Sequence, residues 1–157
     1  MRSGPAKKRK IEADPIYGSV LVTRFVNKMM KAGKKAVAQK LLYEALKNIK
    51  EKGQDPLPTL ERAVNMISPR MEVRPRRVGG ASYQVPSEVR GDRKISLAIR
   101  WIIGAAQNRS SKEYKSFDQK LAAEILDASS GLGEAAKKRD QMQKMAEANK
   151  AFAHFRW

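Results

Sequence analysis

MEVRPRRVGGASYQVPSEV, residues 71–89, decides how this chain is built. Residues 71–78 and 83–89 are short runs rich in Val and Arg, separated by Gly79, Gly80, Ala81 and Ser82. Two extended runs about a Gly-Gly pair predict a β-hairpin. Pro75 and Pro86 each remove a donor from the ladder, so neither strand can lie in the middle of a sheet. The spacing therefore predicts a projecting two-stranded arm. Val73, Tyr83, Val85 and Val89 form its packed face, and Arg70, Arg74, Arg76 and Arg77 line its first half.

Helical periodicity flanks the hairpin on both sides. Val22, Phe25, Val26, Met29 and Met30 mark a helix over about 19–31, which Gly33 stops. Ala38, Leu41, Leu42, Ala45, Leu46 and Ile49 give a second helix over about 35–52, ending at Gly53. Asp55 as N-cap and Pro56 at the first position open a third, with Leu60, Ala63, Val64 and Ile67 inward and Pro69 beyond its end. After the hairpin, a helix over about 92–108 starts at Asp92 and buries Ile95, Ala98, Ile99, Ile102, Ile103 and Ala106. Trp101 lies off that stripe and suits core or interface packing more than base stacking. Ser116 and Gln119 have capping-box spacing before a fifth helix with Phe117, Leu121, Ala122, Ile125 and Ala128 inward, broken by Gly131 and Gly133. The last helix begins near 134 and carries Met142, Met145 and Ala146 inward. The tail residues Phe152, His154, Phe155 and Trp157 would be costly to leave in water and are expected to dock on the body. The fold class that results is mainly α: one domain, residues 19–157, of about six helices, with the hairpin at about 71–89 and the C-terminal helix and tail at about 134–157. Residues 1–18 form a basic arm.

Charge narrows the function. Lys and Arg number 33 against 16 acids, a formal net charge of +17. So much like charge on one small domain calls for a polyanion, and nucleic acid is the foremost one. No apolar run is long enough to span a bilayer, and no apolar signal region follows the basic N-terminus. There is no cysteine, which removes disulfides, thiolate zinc sites and a Cys nucleophile. The one histidine, His154, lies near the end of the chain, a poor setting for a catalytic relay. The acids are scattered among Lys and Arg at helical spacing, as solvated ion pairs are. The reading expects no catalytic residue, metal, cofactor, membrane contact or small-molecule substrate.

Binding is where the residues converge. Lys7, Lys8, Arg9 and Lys10 suit either a nuclear address or a tail that orders on phosphates. Lys28, Lys31, Lys34 and Lys35 crowd one interhelical turn, beyond what favourable interaction with a helix C-terminus requires. Arg93 with Lys94, then Arg109, Lys112 and Lys115, and finally Lys137, Lys138 and Arg139 complete a set of basic edges around an apolar core. Guanidinium groups bind phosphates bidentately and stack on bases. Charge does not separate RNA from DNA. An architectural DNA-binding protein with a basic β-arm is the rival, although the Gly-Gly-Ala-Ser tip carries no evident wedge residue.

The sequence resembles the bacterial-type seventh protein family of the small ribosomal subunit. The resemblance rests on Asp14-Pro15-Ile16-Tyr17-Gly18-Ser19, Gly33-Lys34-Lys35, the run from Pro75 to Pro86, Leu97-Ala98-Ile99-Arg100-Trp101 and the run from Met145 to His154. It implies a helical fold with a protruding hairpin and a cytoplasmic, ribosome-bound primary binder of small-subunit ribosomal RNA that nucleates the subunit head. It also implies a place at the subunit interface near the transfer RNA exit site and messenger path, among head and platform proteins. Carried over by position, the arm, the Lys28–Lys35 corner, Arg70–Arg77 and Arg93-Lys94 would touch ribosomal RNA. Gly79, Gly80, Ala81, Ser82 and Tyr83, with the last helix, would face exit-site transfer RNA. Two positions depart from the family pattern. Met142-Gln143 stand where Thr-His is usual, and Gly91 stands where proline is common.

Overall fold

The computed structural model describes Gly4 and residues 10–155. Within them the chain runs α1 (Val20–Met29), α2 (Lys35–Glu51), α3 (Pro56–Ile67), β1 (Met71–Val78), β2 (Ala81–Glu88), α4 (Gly91–Asn108), α5 (Phe117–Ser129) and α6 (Gly133–Ala148), then a short 3-10 helix, Lys150–Phe155. The architecture is the mainly helical one with a two-stranded hairpin between α3 and α4 that the sequence predicts.

The core is one apolar cluster. Phe25, Leu42, Leu46, Ile49, Leu60, Ile67, Ile99, Ile102, Leu121 and Ile125 are its largest fully buried apolar residues. α5 stands at its centre, packed against α2, α3, α4 and α6. Its consecutive residues Leu121, Ala122, Ala123, Glu124 and Ile125 are all buried, so the helix is enclosed on every side rather than along one stripe. Trp101 is half-buried against the same cluster. α6 buries only Ala135, Ala136 and Ala146, and Met145, expected inward, is 42% exposed. Small alanines let α6 lie close to its neighbours, and the longer methionine reaches solvent instead.

The hairpin is tighter than the sequence reading. Val78 pairs with Ala81, so the connection is Gly79-Gly80 alone, and Ala81 and Ser82 belong to β2. Both glycines have positive φ, 57° and 88°, the signature of a two-residue turn that matches strand twist. Val85 and Val89 are buried as expected and Tyr83 is half-buried, but the half-buried Val73 pairs with the buried Pro86 on the opposite face from Val85, whose face carries the buried Glu72, so the expected single packed face is split between the two sides. Nor does the arm project unsupported. Both strands rest on α6, and the 3-10 helix lies against β2.

One helix start differs, and two others stand where expected without their side-chain caps. α4 begins one residue before Asp92, with Arg90 at the N-cap, and Asp92 turns to Arg24 of α1 at 3.1 Å. Asp55 occupies the N-cap of α3 with an extended backbone, and its side chain makes no capping bond. Ser116 likewise caps α5 without a side-chain bond. Gln119 accepts from the Lys115 N–H at 3.2 Å, one residue upstream of a capping box's target.

Candidate nucleic-acid interface

Basic residues far apart in sequence line adjoining grooves. The hairpin register puts Glu72, Arg74 and Arg76 of β1 on one face with Ser87, Val85 and Tyr83 of β2. Arg77 falls on the opposite face with Ser82. On the first face a polar groove of about 340 Å³ is lined by Arg74, Arg76, Arg90 and Arg93 with Val85, Ser87 and the single acid Glu88. Glu72 is its organising residue. Its carboxylate is 4% exposed. It accepts from Arg74 Nε at 2.6 Å and from Arg93 Nε at 2.7 Å. Both arginine side chains remain more than half exposed, so one buried acid fixes two cations whose outer edges face solvent.

The track continues through the start of α4. Asp92 joins Arg24, and one turn further along α1 Lys28 shares a groove with Lys10, Arg24 and Asp92. Beyond α1 the chain turns sharply. Ala32 at φ 50° and Gly33 at φ 73° are both left-handed, and the Lys34 N–H closes on the Lys31 carbonyl at 3.0 Å. This backbone holds Lys31, Lys34 and Lys35 exposed. None of the corner lysines, Lys28 included, makes an ion pair among the described residues. Lys31 and Lys34 line a further groove with Gln107 and Phe117, which bracket the loop carrying Lys112 and Lys115. Hairpin, start of α4, α1 and corner thus line successive basic grooves, a basic track, and Lys112 and Lys115 stand exposed on the loop between Gln107 and Phe117.

Other predicted residues are placed differently. Lys7, Lys8 and Arg9 lie outside the described residues. Arg70 and Lys94 flank the hairpin, Arg70 exposed and Lys94 half-buried, and the Arg70 carbonyl accepts from the Val89 N–H. Arg109 is turned inward. Its side chain, 17% exposed, binds Glu124 at 2.6 Å and also Asp127. Burial pulls its pKa down, but the bonds and charges of Asp127 and Glu124 outweigh that and hold it above its ordinary value. Its site pins the 109–116 loop to α5. Lys137, Lys138 and Arg139 sit on α6. Lys137 bonds Glu134 at 2.6 Å, which lowers the pKa of that carboxyl and raises that of the lysine. Arg139 donates to the Met66 carbonyl at 2.7 Å and bonds Asp140, so it ties α6 to α3.

At the hairpin's outer half the C-terminal tail forms an aromatic clasp. Tyr83 lies 5.3 Å from the Phe152 ring and 5.1 Å from Phe155. His154 packs on Phe155 at 4.0 Å and stays exposed. This is where the tail docks; Trp157 lies outside the described residues.

The basic arm has its own anchor. Asp14, 3% exposed, accepts from the Ile16 and Tyr17 N–H groups at 3.1 Å and from the Tyr43 hydroxyl at 2.6 Å. Partial burial and the Asp14 bond push the Tyr43 phenol up to about 12, and burial with the Asp14 charge also raises Tyr17. Sequence reasoning missed Asp14, Glu72 and Glu124, taking the acids as solvated. The available signal for one of them was an acid alone among cations, Glu72 within the arginine run.

Known proteins include relatives that span this chain. The family model for ribosomal protein S7p/S5e matches residues 1–150. The chain is 56% identical to the small ribosomal subunit protein uS7 of Carboxydothermus hydrogenoformans over 157 residues, covering 99% of each. It is 55% identical to that of Nocardioides sp. and 54% identical to that of Mycobacterium tuberculosis, again over 99% of each chain.

Proposed function

The chain belongs to the ribosomal protein S7p/S5e family, and on that premise we propose that it is a structural, non-enzymatic component of the small ribosomal subunit that binds ribosomal RNA along the basic track. The observation that carries the reading is the continuity of that track. Cations of the arm, α1 and α4's start share one groove with the single acid Asp92, those of the hairpin and α4 another with the single acid Glu88, the corner lysines line a third, and the buried acid Glu72 orients arginines rather than cancelling them. Such an array supplies pre-organised positive charge to a folded RNA without any chemical step.

The finer reading follows the resemblance. The protein is a primary RNA binder that nucleates the subunit head, in the cytoplasmic ribosome beside head and platform proteins. Its hairpin tip, Gly79 to Tyr83, and the Lys137–Arg139 segment of α6 face exit-site transfer RNA and the messenger path. The aromatic clasp supports the hairpin part of this, since it holds Tyr83 beside Phe152 and Phe155 of the tail.

The test is a salt titration of binding to small-subunit ribosomal RNA. Replacing Arg76 and Arg90 by alanine is expected to lower the slope of log affinity against log salt by about two units, near one per lost phosphate contact. An unchanged slope and affinity would refute the assignment. A clear preference for duplex DNA in competition would favour the architectural DNA-binding alternative instead.

A further inference from the structure

Between the end of the arm, α1 and the start of α4 lies a groove of about 730 Å³. Its walls are apolar. Ile11 and Val20, 41% and 40% exposed, face Ile95 and the buried Ile99 across it. Its rim is basic, with Lys10, Arg24 and Lys28 against the single acid Asp92, which is already joined to Arg24. Asn27 and Ser96 add neutral donors and acceptors. One donor here is unsatisfied. Arg24 Nε is buried and finds no acceptor among the described residues.

Apolar walls, neutral hydrogen-bonding groups and a cationic rim match the three parts of a nucleotide: the faces of its base, the base edge, and its phosphate. A paired base inside a duplex cannot enter a pocket, whereas a splayed-out one can. We infer that this groove receives one unpaired nucleotide of the bound RNA. Ile11, Val20, Ile95 and Ile99 hold the base, Asn27 and Ser96 read its edge, and Arg24, Lys10 and Lys28 meet the flanking phosphates. The inference rests on the RNA-binding reading above. It adds that recognition here depends on a base and not on charge alone.

The experiment uses the full chain and a transcript of small-subunit ribosomal RNA. A photo-crosslinking benzoylphenylalanine at position 20 is expected to mark one unpaired nucleotide. Removing that base, leaving the sugar and phosphate, is expected to weaken binding about tenfold, equivalent to about 1.4 kcal/mol. Ser96→Phe, which fills the groove, is expected to lose a similar factor on intact RNA and nothing further on the abasic RNA. Asn27→Ala, which adds no bulk, guards against misfolding and is expected to lose about fivefold, the order of one hydrogen bond. Crosslinks confined to paired nucleotides, or to protein in intact subunits, would overturn the inference. So would full affinity of either variant in a folded state. Absence of RNA binding by the unaltered protein would overturn the underlying reading as well, which separates the two failures.

Discussion

Glu124 carries no exposed surface at all, and three elements depend on how its charge is met. Arg109 from the loop bonds one oxygen, and the Ala135 N–H at the start of α6 bonds the other at 3.2 Å. Gly133 completes the fit, because a Cβ there would lie 2.9 Å from the same carboxylate. A buried charge is tolerated only while its partners remain, so Arg109→Ala is expected to destabilise by about 3–5 kcal/mol in urea unfolding. Arg109→Met with Glu124→Leu is expected to recover much of that loss. Tyr43 gives a second prediction, with a sign. Its folded pKa lies above its ordinary value of 10, so its contribution to stability is fully present below pH 10 and is lost as pH rises towards about 12. Stability measured across that window is expected to fall, and the fall to shrink in Tyr43→Phe. Neither site was legible in the sequence. Arg109 reads as one more surface cation and Glu124 as one more helix acid, and only the packing of α5 on all sides reveals that they must meet.

At the level of elements the sequence was more informative, because periodicity and breakers act locally. The apolar stripes located all six α-helices, and Gly33, Gly53 and the Gly131–Gly133 break mark where helices stop or start. What periodicity could not convey was the hairpin's support. The tail's aromatics signalled only that they needed cover, and their partner Tyr83 lies nearly 70 residues away. The clasp makes the tail part of the arm. Truncation after Ala148 is therefore expected to speed amide exchange across Ala81–Glu88 while leaving the exchange of α2 and α5 unchanged. Loss of protection throughout the molecule would instead make the tail part of the global core.

For the molecule as a whole, the consequential fact is that basic residues remote in sequence line successive grooves. Sequence gave the clusters separately, and their adjacency arises from tertiary contacts: Asp92 with Arg24, and Glu72 with Arg93. A path of this kind predicts additivity. Among the described residues the corner lysines Lys31, Lys34 and Lys35 make no ion pair through which they could couple to the hairpin arginines, and distant sites add when nothing couples them. Replacing the three lysines by alanine is expected to lower the salt slope by about 2.7 units, from about 0.9 per duplex-like phosphate contact. Since all three side chains are exposed, the urea midpoint is expected to stay put. Combining them with Arg76→Ala and Arg90→Ala is expected to sum the two losses of slope. If one RNA segment met only one end of the path, one of the two sets would be silent. A full sum therefore distinguishes a protein laid along folded RNA from one gripping a single phosphate cluster.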